Sequence, residues 1–366
     1  MHPILIEWPI TIHTFGVMVL CAVLVTLQWL KYDAPRLKID PEDMTSLAVE
    51  VFIAGLIGSR VMFVWHNWDK LYADAPWHAA FNIRQGGLIW YGGFIAATAV
   101  AIYRMRSYGF HILRACDLMA PATMLGLAIG RIGCLMAGDD HGKICVLASE
   151  YQAFCASQPP GFCEANEILI YQDKIPWYAI TFTDKHALVA KGYENLPLLP
   201  SQVCMMLGTF TVFLILISLR KRLQSMPGTI VSLLFVLYPI NRFLVEFTRG
   251  DNVRGHIPAS VPLVGGLSTS QGISAAILPI GLLLTIVAFH LGRKRVARLR
   301  AEGKDPFEVE PSLRPTPPGP PAPNAPSAVE KAPLAPAPAA ETPPPAVPSS
   351  GAPAPAPDAP APGPAP

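Results

Sequence analysis

The sequence has little charge for its length. Only 15% of its 366 residues are lysine, arginine, aspartate or glutamate, whereas 51% are hydrophobic. This balance excludes an ordinary soluble globular protein and is typical of a polytopic membrane protein. The net charge of +2 indicates no function by itself, because the distribution of charges along such a chain carries more information.

The chain also lacks the cysteine pattern of a metal site and the leader of a secreted protein. None of its seven cysteines belongs to a C-x-x-C pair, so we expect no metal, and we expect no other cofactor. The N-terminus has no basic region, and its first apolar segment is too long for the core of a cleavable signal peptide. That segment is therefore expected to remain as a membrane span.

Seven apolar segments have the length of about 20 residues that a helix needs to cross a bilayer. They lie near residues 9–30, 44–65, 86–103, 115–138, 200–219, 227–248 and 271–291. We therefore predict an all-α polytopic membrane protein with seven transmembrane helices within residues 1–300. The tail, residues 301–366, holds more than half of the 39 prolines, interleaved with alanine. It is predicted to be disordered because it cannot bury apolar surface.

Positive charge alternates between the loops and predicts the orientation. Every second loop is basic, and by the positive-inside rule these loops face the cytoplasm. The charges that define them are Lys31, Arg36 and Lys38; Arg104, Arg106 and Arg114; Arg220, Lys221 and Arg222; and Arg293, Lys294, Arg295, Arg298 and Arg300. The N-terminus is then outside and the tail inside. Residues 139–199 form the predicted extracytoplasmic head, with a short β-strand within residues 175–183.

Three cysteines, Cys145, Cys155 and Cys163, lie in this head. Outside the cytoplasmic membrane of a diderm bacterium the compartment is oxidising, so one disulfide among them is expected. The third cysteine is then unassigned. The alternative is that all three are free thiols.

Nearly all polar residues inside the predicted spans fall at a similar depth, and Asp117 and Glu50 are the main exceptions. Arg60, Arg131 and Arg242 come late in spans that run outward. The polar residues His13, Tyr91, Gln202 and Gln271 come early in spans that run inward. Charged groups inside a bilayer are costly and usually line a functional cavity, so we predict a single polar cavity that opens outward. The alternative is that each arginine extends separately to the membrane surface.

Arg242 and Glu246 are four residues apart and therefore share one helix face. An ion pair between them would lower the cost of inserting the arginine, and Tyr238 lies one turn earlier on the same face. The planar guanidinium group suits phosphate, whose oxygens it binds two at a time. Glycines such as Gly92 and Gly133 permit two interpretations: close helix packing, or backbone exposed to a lipid headgroup.

At residues 130–143 the chain reads GRIGCLMAGDDHGK. This run resembles the signature of the bacterial prolipoprotein diacylglyceryl transferases, which begins Gly-Arg-x-Gly. Further pieces resemble family motifs in the same order: Gly16 after His13-Thr-Phe, Gly58-Ser-Arg60, Gly86-Gly87 with Gly92-Gly93, Pro200-Ser-Gln202, and Tyr238, Arg242, Glu246-Phe and Arg249. The resemblance extends from residue 1 to about residue 295.

The resemblance implies transfer of the diacylglyceryl group of phosphatidylglycerol to the lipobox cysteine thiol of a preprolipoprotein, with release of glycerol 1-phosphate. It implies a multi-pass protein of the bacterial cytoplasmic (inner) membrane, with the active site toward the outer leaflet. The implied partners are phosphatidylglycerol, the lipobox signal peptide and the bilayer, with no nucleic acid. It assigns phosphatidylglycerol binding to Arg131 and Arg242, with support from Glu246 and Tyr238. Arg60, Gly92 and Gly133 are further lipid-binding candidates.

The chain departs from the family pattern at three places. Tyr91 stands where the family often has histidine, and Cys134 and Asp139 stand where it often has asparagine and glutamate. Tyr91 is kept as a catalytic candidate together with Arg131 and Arg242, although a phenol is a poor base at neutral pH. We therefore expect Asp139, Asp140 or His141 to act as the base, unless the arginines alone lower the pKa of the acceptor thiol. The alternative for these three residues is a solvated turn that caps a helix.

Three functions compete on this sequence. The first is an active diacylglyceryl transferase. The second is a non-catalytic relative that binds lipid or lipoprotein, which the replaced histidine, asparagine and glutamate favour. The third is a transporter or channel, which is disfavoured because the sequence shows no internal repeat and its polar residues lie toward one face of the membrane.

Overall fold

The computed structural model describes residues 3–6, 11–72, 80, 87–189, 192–250, 255–258 and 266–307. The statements below concern these residues. Gly86 and nearly all of the predicted disordered tail, from residue 308 onward, lie outside them.

Long helices make up most of the described chain. They are α1 (Thr14–Asp33), α2 (Pro41–His66), α3 (Trp90–Ser107), α4 (Ile112–Ala137), the short α5 (Tyr151–Ser157) and α6 (Phe162–Ala165), and then α7 (Ser201–Leu219), α8 (Thr229–Glu246) and α9 (Thr269–Ala301). A short 3₁₀ helix, Ala34–Leu37, follows α1, and one turn of π-helix, Trp68–Tyr72, follows α2. Each of the seven predicted spans coincides with one of the long helices.

Six helices within the described ranges are long and apolar enough to cross a membrane: α1 with its 3₁₀ extension, α2, α4, α7, α8 and α9. The third predicted span forms α3, but this helix is not one of the six. Its 18 residues include Arg104 and Arg106 in the last turn and Trp90 and Tyr91 in the first, and these side chains lower its hydropathy. The protein is thus a mostly helical, multi-pass membrane protein.

Two charged residues inside the predicted spans, the buried Asp117 and the partly buried Glu50, lie away from the predicted polar depth, and both have structural partners. The carboxylate of Asp117 in α4 accepts hydrogen bonds from the backbone N–H groups of Gly228 (2.6 Å) and Val231 (2.8 Å). These groups belong to the first turn of α8, so Asp117 caps that helix and complements its dipole. Glu50 of α2 binds Arg104 of α3 through both carboxylate oxygens, each at 2.5 Å.

The helices pack in pairs around α4, which contacts α1, α7 and α8, while α2 packs on α3 and α8 on α9. One apolar cluster joins α1, α2, α3 and α4 through residues such as Leu30, Met44, Met105 and Leu118. A second joins α4, α7 and α8, with Phe213 and Leu216 at its centre. The second cluster lies beside the helices that carry Arg131 and Arg242, so it fixes their relative position.

Residues 139–199, the head, contain a β-sheet, which corrects the all-α prediction. The strands β1 (Ile4–Ile6) and β2 (Ile12–His13) form a separate hairpin, and β3 (Ile144–Leu147), β4 (Ile168–Tyr171), β5 (Ile180–Thr181) and β6 (Pro197–Leu198) form a sheet in the order β4-β3-β6-β5. β3 and β4 are parallel, and the other pairs are antiparallel. Of the strand predicted within residues 175–183, only the two residues of β5 are in a strand.

The head is held by a small apolar core and a disulfide. Ile144, Phe182, Tyr193 and Leu198 form the centre of this core. Cys155 and Cys163 are bonded, which confirms the expectation of one disulfide and excludes three free thiols. Cys145 is the unpaired third, buried on β3, and its burial raises the pKa of its thiol.

Candidate active site

A small cavity lined by polar residues lies beside the head, where α4 and α8 end and α7 begins. Its lining residues come from these helices and from the turns that follow α4 and α8: Arg131, Asp140, Ser201, Gln202, Met205, Arg242, Val245 and Arg249. Three of the eight are arginines. The cavity therefore brings three guanidinium groups together at one place in the helical bundle.

Asp140 lies between two of these arginines. One carboxylate oxygen binds Nη1 of Arg131, and the other binds Nη2 of Arg249 at 2.5 Å. The φ angle of Asp140 is +57°, in the left-handed region that aspartate tolerates better than most residues. Ser201 Oγ donates to the backbone carbonyl of Asp140 at 2.5 Å, and Gln202 Nε2 donates to that of Asp139 at 2.8 Å. The start of α7 thus fixes the turn that presents this carboxylate.

The two arginines keep Asp140 ionised. Burial by itself would raise the pKa of this carboxyl group, but the charges and hydrogen bonds of Arg249 and Arg131 outweigh burial and hold the pKa below its usual value. A carboxylate with a lowered pKa is a weak proton acceptor at neutral pH. Asp140 is accordingly better suited to bind the arginines than to deprotonate a thiol.

Arg242, the third arginine, is held by the pairing expected from its spacing to Glu246. Its Nη1 lies 2.6 Å from Glu246 Oε2, and its Nη2 donates to Ser270 Oγ at 2.8 Å. The Glu246 side chain is 1% exposed and that of Arg242 is 17% exposed. The ion pair therefore gives Arg242 a fixed position on the cavity wall.

Below the cavity, three backbone segments meet in what we call the backbone junction, formed by residues 141–143, 199 and 248–250. Lys143 N–H donates to the carbonyl of Thr248 at 3.2 Å, and Leu199 N–H donates to that of Lys143 at 2.9 Å. A Cβ atom on Gly142 would overlap the Leu199 carbonyl. The absence of a side chain at Gly142 is therefore what allows the turn after α4, the end of the head and the turn after α8 to approach one another.

The other predicted residues of the signature lie around the cavity without lining it. Tyr238 packs into the apolar cluster of α4, α7 and α8. His141 is 3% exposed, and its ring centroid lies 4.5 Å from that of Tyr193, within the head. Asp139 is exposed, and its side chain accepts a hydrogen bond from the Asp140 N–H. Cys134 Sγ lies 3.7 Å from Arg131 Nη1.

Two predicted residues, Arg60 and Tyr91, are not among the described residues that line this cavity. Tyr91 is 54% exposed at the start of α3. Arg60 donates to the backbone carbonyls of Ala80 (2.7 Å) and Gly87 (3.1 Å), so its guanidinium group holds the chain that follows α2. Arg60 instead borders a wide apolar groove along α2, lined also by Ile53, Leu56, Ile57, Val61, Val64, Trp65, Trp68, Ala80 and Leu88.

The two predicted glycines lie in helix contacts. A Cβ atom on Gly92 of α3 would overlap Met62 and the Gly58 carbonyl of α2. On Gly133 of α4 it would meet Met18 at 3.1 Å and Phe15 at 3.2 Å in α1. Of the two interpretations of these glycines, the geometry favours close packing of helices.

Arg249 is the cavity arginine to which the sequence assigned no role. It is 8% exposed and binds Asp140. It lies three residues after the end of α8, and its place in the motif Tyr238, Arg242, Glu246-Phe and Arg249 is the signal that could have found it.

Comparisons with known proteins identify the family of this chain. The family model of the prolipoprotein diacylglyceryl transferases matches residues 3–287, which is most of the chain. The chain belongs to this family. The three helices that contribute to the cavity, α4, α7 and α8, all lie within the residues that the family model matches.

Curated relatives match over nearly their whole length. The phosphatidylglycerol–prolipoprotein diacylglyceryl transferase of Gloeobacter violaceus is 26% identical over 290 residues, which are 79% of this chain and 92% of the relative. That of Finegoldia magna is 27% identical over 281 residues, 77% of this chain and 90% of the relative. That of Bacillus anthracis is 26% identical over 285 residues, 78% and 91% respectively.

Proposed function

We propose that this protein transfers the diacylglyceryl group of phosphatidylglycerol to the lipobox cysteine thiol of a prolipoprotein and releases glycerol 1-phosphate. The observation that carries the proposal is the convergence of Arg131, Arg242 and Arg249 on one small cavity. Family membership and the names of the relatives support the same substrates.

The reaction is an alkyl transfer. The cysteine thiol releases its proton to water, and the thiolate sulfur attacks C3 of the glyceryl group. The C–O bond to the phosphate breaks, and glycerol phosphate leaves with the bonding electrons. The phosphodiester carries one negative charge and the leaving monoester approaches two, so charge grows on the phosphate oxygens in the transition state. Guanidinium groups that are already fixed around these oxygens stabilise that state more than the ground state.

Arg131 is the central residue of this proposal. Its Nε is buried and has no hydrogen-bond partner among the described residues. A phosphate oxygen is an acceptor that would complete the guanidinium group, and the planar fork suits it. Arg242, held by Glu246, acts on the same phosphate from its own position in the cavity lining. The positive field of the arginines also lowers the pKa of an approaching cysteine thiol, for which about 8.5 is usual.

The proposed topology has seven spans with the N-terminus outside. It counts α3 as a span, because α3 packs along α2 and ends in the basic loop with Arg104 and Arg106. It places the head and the arginine cavity toward the outer leaflet of the bacterial cytoplasmic membrane, where a secreted prolipoprotein arrives. The apolar groove along α2, with Arg60 at its border, suits an acyl chain in that leaflet.

The test uses the purified full chain in detergent with phosphatidylglycerol and a synthetic lipobox peptide. Mass spectrometry measures the diacylglyceryl mass gain of the peptide, and a coupled assay measures released glycerol phosphate. We expect Arg131→Ala to lose at least about 100-fold in turnover. Arg131→Lys should recover only part of it, because lysine lacks the planar fork.

The matched control is Arg298→Ala. Arg298 lies at the end of α9 with a side chain 70% exposed, so its loss should leave turnover unchanged. Absence of product from the wild-type chain, with phosphatidylglycerol still bound, would instead support the non-catalytic lipid-binding relative. Tyr91→His and Cys134→Asn would then be the first variants to assay for a gain of activity.

A further inference from the structure

The carboxylate of Asp140 occupies the position where two guanidinium groups converge. Arg131 binds one of its oxygens and Arg249 the other. A phosphate group presents pairs of oxygens to arginine in the same way as a carboxylate does. Under the proposed function, Asp140 and the phosphate of the lipid are therefore alternative ligands of the same two arginines.

The charges around the cavity favour this interpretation. Among the described residues, three guanidinium groups, those of Arg131, Arg242 and Arg249, face two carboxylates, those of Asp140 and Glu246. A phosphodiester carries a single negative charge, whereas a phosphomonoester approaches two negative charges above its second pKa of about 6. The carboxylate of Asp140 therefore opposes binding of the monoester more strongly than binding of the diester.

We propose that Asp140 is an internal competing anion that shares Arg131 and Arg249 with the phosphate and thereby limits how tightly the product glycerol phosphate is held. It is a positioning residue: it acts through the two arginines and touches no reacting atom. The proposal rests on the proposed function for the identity of the anion. Without such competition, the arginines that stabilise the developing dianion would also retain it after the reaction.

The local structure allows the exchange. The backbone of Asp140 is held by Ser201 and by the left-handed turn, while its side chain is 25% exposed. Rotation about χ1 can therefore move the carboxylate out of the arginines while the turn keeps its conformation. The lowered pKa means that Asp140 remains charged throughout the physiological range, so the competition is constant and not a pH switch.

The experiment is a direct binding measurement on the purified full chain in detergent. Isothermal titration gives the Kd of glycerol 1-phosphate, a monoester, and of glycerophosphoglycerol, the soluble diester headgroup. Asp140→Asn removes the charge with little change of shape, and Asp140→Gly suits the left-handed backbone if the first variant folds poorly. Asp173→Asn, an exposed head residue, is the control with the same change of charge.

We expect Asp140→Asn to bind the monoester at least about tenfold more tightly at pH 8, because removing one charge a few ångströms away affects a dianion most. The diester should gain less, by roughly threefold. In turnover assays the variant should show stronger product inhibition and a lower KM. Asp140→Glu should restore weak monoester binding if it restores both ion pairs.

Unchanged or weaker monoester binding in both Asp140→Asn and Asp140→Gly would overturn the proposal. That result is expected if Asp140 only holds the arginines in place, because its loss would then loosen them and weaken the binding of an anion. A failure of the proposed function can be told apart from a failure of this proposal. The first appears as absence of product from the wild-type chain, whereas the titration measures binding and requires no turnover. An equal gain in the Asp173→Asn control would also overturn the proposal, by showing a general effect of net charge.

Discussion

Replacing Glu246 alone should harm the protein more than replacing Glu246 and Arg242 together. The Glu246 side chain is 1% exposed and lies 2.6 Å from Arg242. In Glu246→Leu, the largely buried side chain of Arg242, which is 17% exposed, loses its counter-charge. Breaking a buried ion pair in this way costs about 3–5 kcal/mol. The double variant Arg242→Met/Glu246→Leu removes both charges, and such replacements are often neutral or stabilising.

The assay is unfolding by SDS in mixed micelles, followed by tryptophan fluorescence, on the two single variants and the double variant. We expect the double variant to recover at least about 2 kcal/mol relative to Glu246→Leu. Its transferase turnover should nevertheless fall at least about 100-fold, because Arg242 is gone. The matched control is Glu302→Leu in the pair with Arg298, which has the same spacing but is exposed and should change stability little.

Two outcomes would refute this reasoning. If the double variant is as unstable as Glu246→Leu, the loss comes from packing around Glu246 and not from an unpaired charge on Arg242. If the double variant folds and keeps wild-type turnover, Arg242 is not part of the phosphate site.

Three further predictions follow from the packing, the disulfide and the turn. Gly92→Ala should lower the midpoint of thermal unfolding, at a cost of about 1–3 kcal/mol in stability, because its Cβ atom overlaps α2. A Cβ atom on Gly130 meets nothing within 4 Å, so Gly130→Ala should leave the midpoint unchanged. Equal midpoints in the two variants would contradict the packing assignment. Replacing Cys155 and Cys163 by serine removes a disulfide that joins residues with a sequence separation of 8, and the head should lose about 2.5 kcal/mol of stability. The loss should appear as faster proteolysis of residues 150–170. An unchanged rate of cleavage would contradict this prediction. Because the arginines lower the pKa of Asp140, its ion pairs contribute fully above about pH 4 and lose their contribution as the pH falls through the lowered value. Wild type should therefore exceed Asp140→Asn in stability at pH 7, and the difference in unfolding midpoint should shrink toward pH 3; a constant difference would contradict the ion pairs.

The helices were predictable from sequence because each depends on a long apolar run, which is a local property of the chain. The sheet of the head was not, because its strands are two to four residues long and depend on pairing across the chain. The third predicted span ends at residue 103, whereas α3 continues through Arg104 and Arg106 to Ser107, because a helix can extend past the apolar run from which it is predicted.

The candidate site was predictable only in part, for a geometric reason. Span orientation gives the depth of a residue in the bilayer, and this brought Arg131, Gln202 and Arg242 correctly into one cavity. Depth contains no lateral information, so Arg60, on the side of α2 and α3, was grouped with them although it borders a different groove. Arg249 escaped assignment because it lies in a turn just beyond the apolar segment.

The backbone junction has a consequence for chimeric proteins. Gly142, Leu199 and the Thr248 carbonyl meet with no side chain between them, and the first two residues mark the beginning and end of the head. The head is therefore not an interchangeable module, although both of its ends are close together. A graft of a head from another family member should succeed only when residues 138–143, 197–202 and 248–250 are carried over as one unit. The domain boundary for engineering therefore includes the turns after α4 and α8 and the first residues of α7.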